Sequence, residues 1–124
     1  MITKVVDAPR RRRDAEPGDA GWSMARLSPA ETGLPMAVWV TENDGYQHDV
    51  RLKVSTVHGG GGSWRAAPSM AARPQPRLAH RGRLGQADVA VVGRWIELNR
   101  DVIIDYWDGK LSLTELLARL RRLA

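Results

Sequence analysis

The stretch Gln47-His48-Asp49-Val50-Arg51-Leu52-Lys53-Val54-Ser55 decides the fold. Its side chains alternate with a period of two, and in a strand successive side chains point to opposite faces. His48, Val50, Leu52 and Val54 are expected on one face, and Asp49, Arg51, Lys53 and Ser55 on the other. That pattern is a half-buried antiparallel strand. Just upstream, Met36-Ala37-Val38-Trp39-Val40-Thr41 is β-branched and aromatic. Asp44-Gly45 lies between the two runs, and Asp-Gly flanked by apolar alternation is a strong hairpin signal. Downstream, Ser69 to Arg73 offers a third strand ended by Pro74 and Pro76. Arg77-Leu78-Ala79-His80 reads as a short strand and turn feeding a helix.

From Gln86 the period becomes helical. Val89, Val92, Ile96, Ile103 and Tyr106 recur at spacings of three, four or seven, and Trp95, Leu98, Val102 and Trp107 widen the stripe. Asn99 falls inside that stripe, and Gly109 supplies a stop. Ser112-Leu113-Thr114-Glu115 matches a capping box opening a second helix, with Leu113, Leu116, Leu117 and Leu120 as its apolar face. Arg119, Arg121 and Arg122 suit its carboxyl end. Together these elements predict a single α+β domain over residues 34–124. A small antiparallel sheet of three or four strands, begun by the early hairpin, is packed by one long helix and a short C-terminal helix.

Residues 1–33 differ in kind. Arg10-Arg11-Arg12-Arg13, then Asp14-Ala15-Glu16-Pro17-Gly18-Asp19, then Ser28-Pro29 show neither period, so they read as a basic, poorly structured arm. Residues 2–6 could add an edge strand. A chain of 124 residues suffices for one domain, and 43% hydrophobic with 27% charged residues is globular composition. The absence of cysteine excludes disulfides, thiol catalysis and thiolate zinc sites, and fits a reducing cytoplasm. No apolar run approaches the roughly 20 residues of a membrane span, and the opening residues lack the apolar middle of a signal peptide. A cytoplasmic protein without a membrane partner is expected.

The formal net charge is +5, carried mostly by arginine. Such a balance favours polyanions, either nucleic acid or an acidic protein surface, although a GC-rich genome writes a similar excess of arginine over lysine. Arg10, Arg11, Arg12, Arg13, Arg51 and Lys53 are the candidate partner- or nucleic-acid-binding residues. The histidines His48, His58 and His80 form no short-spaced pair, so no metal or other cofactor is indicated. His48 and His80 are the weak catalytic candidates: a ribonuclease-like site needs histidine beside a cation that stabilises phosphate charge. Strict alternation separates His48 from Arg51 and Lys53. Glu97, Asp101, Asp105 and Asp108 share one side of the helix, where pairing with Arg94 and Arg100 is the simplest reading. The run Gly59 to Gly62 lacks the Lys-Ser/Thr ending of a phosphate loop.

Trp95-Ile96-Glu97-Leu98-Asn99-Arg100-Asp101, followed by Trp107, resembles the closing helix of a small bacterial domain-of-unknown-function family. Its members carry a histidine-bearing early strand and are often encoded in toxin–antitoxin-like or mobile-element gene pairs. The similarity covers about residues 34–123. It departs where the family's paired histidines are reduced to Gln47-His48-Asp49 and where the glycine loop and residues 65–76 are inserted. The resemblance implies a compact α+β domain and no established activity. The functional expectation is a non-enzymatic regulatory or inhibitory protein of a bacterial or mobile-element system that binds a larger protein partner. The alternatives are a nucleic-acid-binding module using the arginine arm and the basic strand face, and a ribonuclease-type toxin.

Overall fold

Half-exposed and buried side chains alternate along residues 51–54, whereas residues 36–41 and 69–71 are buried on both faces. A computed structural model describes residues 24–79 and 83–124. Five strands, β1 (Met24–Leu27), β2 (Met36–Thr41), β3 (Arg51–His58), β4 (Ser69–Ala71) and β5 (Arg77–Leu78), form one antiparallel sheet in chain order. The long helix α2 (Gln86–Trp107) lies against one face. A single helical turn α1 (Pro29–Thr32) and the short helix α3 (Leu113–Arg119) complete an α+β domain. The sheet thus has five strands where three or four were expected. The additional edge strand is β1, whose Met-Ala-Arg-Leu lacks β-branched residues and so carries little strand signal.

Residues 24–33, which composition assigns to the arm, therefore carry β1 and α1. Ser28 caps α1: its hydroxyl accepts from the Glu31 amide at 3.3 Å, while the Glu31 carboxylate accepts from the Ser28 amide at 2.7 Å. This is a second capping box, read locally by the same rule as the one opening α3. Residues 2–6 and Arg10 to Arg13 lie outside the described residues.

The core joins Leu27 of β1, Met36, Val38 and Val40 of β2, Leu52 and Val54 of β3, and Met70 of β4 to Val92, Trp95, Ile96, Val102 and Ile103 of α2. Burying side chains of this size contributes about 1.5–3 kcal/mol each before chain entropy is set against it. The Trp95 side chain is fully buried, and its indole N–H finds no acceptor among the described residues.

Asn99 explains itself in this packing. Its amide nitrogen donates to the Arg121 carbonyl at 3.0 Å and its amide oxygen accepts from the Arg121 N–H at 2.7 Å. Two residues on, the Leu123 amide donates to the Thr32 carbonyl at 2.8 Å. The C-terminal segment thus lies between α2 and α1. Gly33 makes room for it, with φ of 81° and a Cβ position that the Leu123 backbone would occupy.

α3 departs from its expected stripe: Leu116 is fully buried, whereas Leu113 and Leu117 are 42% and 41% exposed. A seven-residue helix turns only one narrow edge inward. None of the described helices is long and apolar enough to cross a membrane.

Candidate functional site

The open face of the sheet carries the site. Pairing across the strands aligns Arg26 of β1, Trp39 of β2, Lys53 of β3 and Ser69 of β4 in one row. In the adjoining rows Met24 stands opposite Thr41, and Arg51 opposite Ala71, which in turn faces Arg77. The same alternation that buries Leu52 and Val54 places Arg51 and Lys53 on this side.

A second, smaller apolar cluster anchors the surface. Trp39 packs with Ala37 and Ala67, and Met24 and Trp64 cover its edges. Trp64 arrives on a one-turn 3-10 helix (Trp64–Ala66) whose start is fixed by the Ser63 hydroxyl, 3.2 Å from the Arg65 amide. Two cations flank its ring: the Lys53 ammonium at 5.9 Å and the Arg65 guanidinium at 5.1 Å from the centroid. Partial burial lowers the pKa of Lys53, whose ammonium donates to the Ala67 carbonyl at 3.4 Å. Arg26 reaches across to the Gly60 carbonyl and holds the glycine loop over this end of the face.

Beside the Trp39 cluster is a hollow of about 110 Å³ whose walls include Trp39, Tyr46, His48, Arg51 and Lys53. Here the structure corrects the expected alternation. β3 begins at Arg51, so residues 42–50 form a nine-residue connection and not a tight Asp-Gly hairpin turn. Within it the Asn43 carboxamide accepts from the Tyr46 amide at 3.0 Å, and the Asn43 amide donates to the Trp107 carbonyl at 2.9 Å. This connection frees His48 from the strand's period. His48 is half-buried: its ring lies 5.6 Å from that of the core residue Trp107, and it lines the hollow together with Arg51, Leu52 and Lys53.

The His48 ring stacks on Tyr46 with centroids 5.0 Å apart, and Tyr46 stacks on Trp107 at 5.9 Å. Its Nδ1 lies 2.7 Å from the Asp49 carbonyl. A carbonyl only accepts, so Nδ1 carries the proton in that bond and Nε2 remains available.

A wider groove of about 320 Å³ adjoins the hollow and shares His48 and Arg51 with it as a common wall. Arg73 and Arg77 line its far side. Arg73 makes two 2.8 Å hydrogen bonds to the Asp49 carboxylate, and this guanidinium holds the Asp49 pKa down at about 2. Arg77 donates to the Arg73 carbonyl at 3.3 Å. Arg51 has no carboxylate partner among the described residues, so Asp49 is the one carboxylate in the lining beside three arginines, while Asp108 acts on Arg73 from outside the groove.

The other candidates lie apart. His58 is 60% exposed and pairs with Asp88 at 3.0 Å, tying the end of β3 to the first turn of α2. His80 falls outside the described residues, as do Arg10, Arg11, Arg12 and Arg13. Asp101 pairs with Arg121 at 3.1 Å and not with Arg94 or Arg100, and this bond lowers its pKa. Arg100 instead donates to the Ala72 carbonyl at 3.0 Å. Among the described residues no cluster of three His, Asp or Glu side chains has metal-binding geometry. Sequence reasoning selected Arg51, Lys53 and His48 but missed Tyr46, Arg73 and Arg77. The non-local pairing of β3 with β4 and of β4 with β5 brings those two arginines to the groove beside Arg51 and Asp49. Comparison with family models, curated proteins and solved structures finds no match for the chain.

Proposed function

We propose that this is a non-catalytic binding protein that holds a larger, negatively charged partner against the open face of its sheet. The observation that carries this reading is Arg51. It stands at the wall between two adjoining depressions, beside Lys53, with no carboxylate opposing it among the described residues. Cations that a fold leaves unneutralised beside apolar surface attract anions most strongly, because water competes less there. The net charge of +5 acts in the same direction over longer range. The resemblance of the closing helix supports a regulatory or inhibitory role in a bacterial or mobile-element system, in the cytoplasm. Arg10 to Arg13 lie outside the described residues, and their consecutive charge is what supports including them as cations for the same partner.

The test is binding of the full chain to labelled polyanions as ionic strength rises. Arg51→Glu should weaken binding at least tenfold, which is about 1.4 kcal/mol. Replacing Arg10 to Arg13 by serine should flatten the slope of log affinity against log salt by about 3 to 4 on duplex DNA. Binding that ignores both salt and Arg51 would sink the reading.

A second reading, ribonuclease activity, gains one observation: His48 lines the same hollow as Arg51 and Lys53, which strict alternation had kept apart. Phosphodiester cleavage needs a proton-transfer group beside a charge-stabilising cation. Cleavage of labelled RNA by the wild type and its loss in His48→Ala would establish that reading over the first.

A further inference from the structure

We propose that the hollow and the groove together form one nucleotide step of a single-stranded nucleic-acid path, with a base in the hollow and its phosphate in the groove. The inference rests on the polyanion-binding reading and names the anion. The two depressions differ in chemistry but share a wall. The hollow is mainly apolar, bounded by Trp39, Tyr46 and the edge of His48, and its volume of about 110 Å³ admits one small planar ring. The groove beyond His48 and Arg51 is lined by Arg51, Arg73 and Arg77. A ligand filling both must therefore carry a flat, stackable group within one covalent step of an anion. A nucleotide has that construction.

The competing partners fit less well. In a duplex the bases are stacked and paired, so none is free to enter a depression on a sheet face, and only the phosphates would meet the arginines. An acidic peptide places carboxylates on short flexible stems, with nothing to occupy an aromatic hollow. Single strands present a π-face at every residue, and stacking on aromatic side chains tolerates any base. Arg73 is held in place by Asp49, which leaves Arg51 and Arg77 as the cations without a carboxylate partner among the described residues.

The experiment uses the full chain and four fluorescent probes at matched ionic strength: a 12-nucleotide single strand of thymidine, the same length of uridine, a 12-base-pair duplex, and polyglutamate. The single strands are expected to bind at least tenfold tighter than the duplex. Arg77→Gln should reduce the salt slope on single strands by about 0.7, the value for one phosphate contact. Tyr46→Leu should weaken single strands at least fivefold and leave the duplex unchanged. If Tyr46→Leu loses its fold by circular dichroism, His48→Gln, on a half-exposed residue, should show the same selective loss. Equal binding of all four probes, altered by the variants only through charge, would overturn the nucleotide step and leave polyanion binding standing. Binding of polyglutamate alone would overturn it in favour of an acidic protein partner. Binding of none would remove both.

Discussion

On one face of the sheet Leu52 and Val54 lie almost wholly out of water against α2, while on the other their chain neighbours Arg51 and Lys53 remain half-exposed. The two pairs share a strand, a register and a backbone hydrogen-bond ladder. They differ only in what covers them. The closed face is sealed by α2, and the C-terminal segment fills the gap between α2 and α1. The open face has a loop, a one-turn helix and a cluster of rings that leave two depressions uncovered. Residues on the closed face are therefore constrained by volume, and residues on the open face by charge. A substitution should reveal which side it occupies by what it changes.

The largest expected effect is on the closed face. Trp95→Ala should cost about 3–5 kcal/mol in urea unfolding, the range for emptying a large buried aromatic site. Lys53→Ala, on the opposite face, should cost less than about 1 kcal/mol, because the lysine packs only at a rim. Comparable losses for the two would abolish the distinction between the faces. Trp95→Phe sharpens it: the indole N–H has no acceptor among the described residues, so the substitution forfeits packing but no hydrogen bond and should cost far less than alanine.

A smaller effect is expected where the closed side is pinned by polarity. Asn99→Ala removes both bonds to the Arg121 backbone and leaves those groups to find water, at about 1–3 kcal/mol. Its signature is local. Trypsin should cut after Arg121 or Arg122 sooner in the variant than in the wild type, before the rest of the domain is attacked. Uniform acceleration at every site would mean that Asn99 supports the whole core and not the terminal segment.

These two sites also show what the sequence could and could not convey. α2 was legible because eight of its residues are buried at helical spacing and the turn at Gly109 follows. The capping box at Ser112 was legible because its chemistry is contained in four residues. Asn99 stood out as a polar residue in an apolar stripe, but its partner is 22 residues away and carries no pattern of its own. β1 was missed because Met-Ala-Arg-Leu follows a polar stretch and resembles no strand. His48 was read as a strand residue because alternation was extended past the point where the strand begins, at Arg51. The decisive turn, Asn43 accepting from Tyr46, looks like any polar loop. The groove is the least legible part of the site, since Arg73 comes from the β4–β5 turn and Arg77 from β5, and they gain meaning only beside Asp49 and Arg51.

The smallest effect lies on the open face and carries opposite signs for stability and binding. Asp49 titrates at about 2 in the fold against 3.8 ordinarily, chiefly because Arg73 donates two hydrogen bonds to it. A folded pKa below the unfolded one means that the unfolded chain takes up the proton first as pH falls. The stabilisation is thus complete above about pH 4 and is lost as pH drops towards 2. The side chains are 40% and 54% exposed, so solvent screens the pair and the contribution stays below about 1 kcal/mol. Asp49→Asn should therefore lower stability slightly at pH 6, and its gap from the wild type should close between pH 4 and pH 2. A gap that persists unchanged below pH 3 would assign it to lost packing and not to the ion pair. At neutral pH the same substitution removes the one carboxylate that lines the groove with Arg51, Arg73 and Arg77, leaving only Asp108 to act on Arg73 from outside it among the described residues, so polyanion binding should tighten by a few-fold as stability falls. Should binding weaken instead, Asp49 would be acting to hold Arg73 in the pose that the anion needs. In that case the open face would be tuned by orientation as well as by net charge.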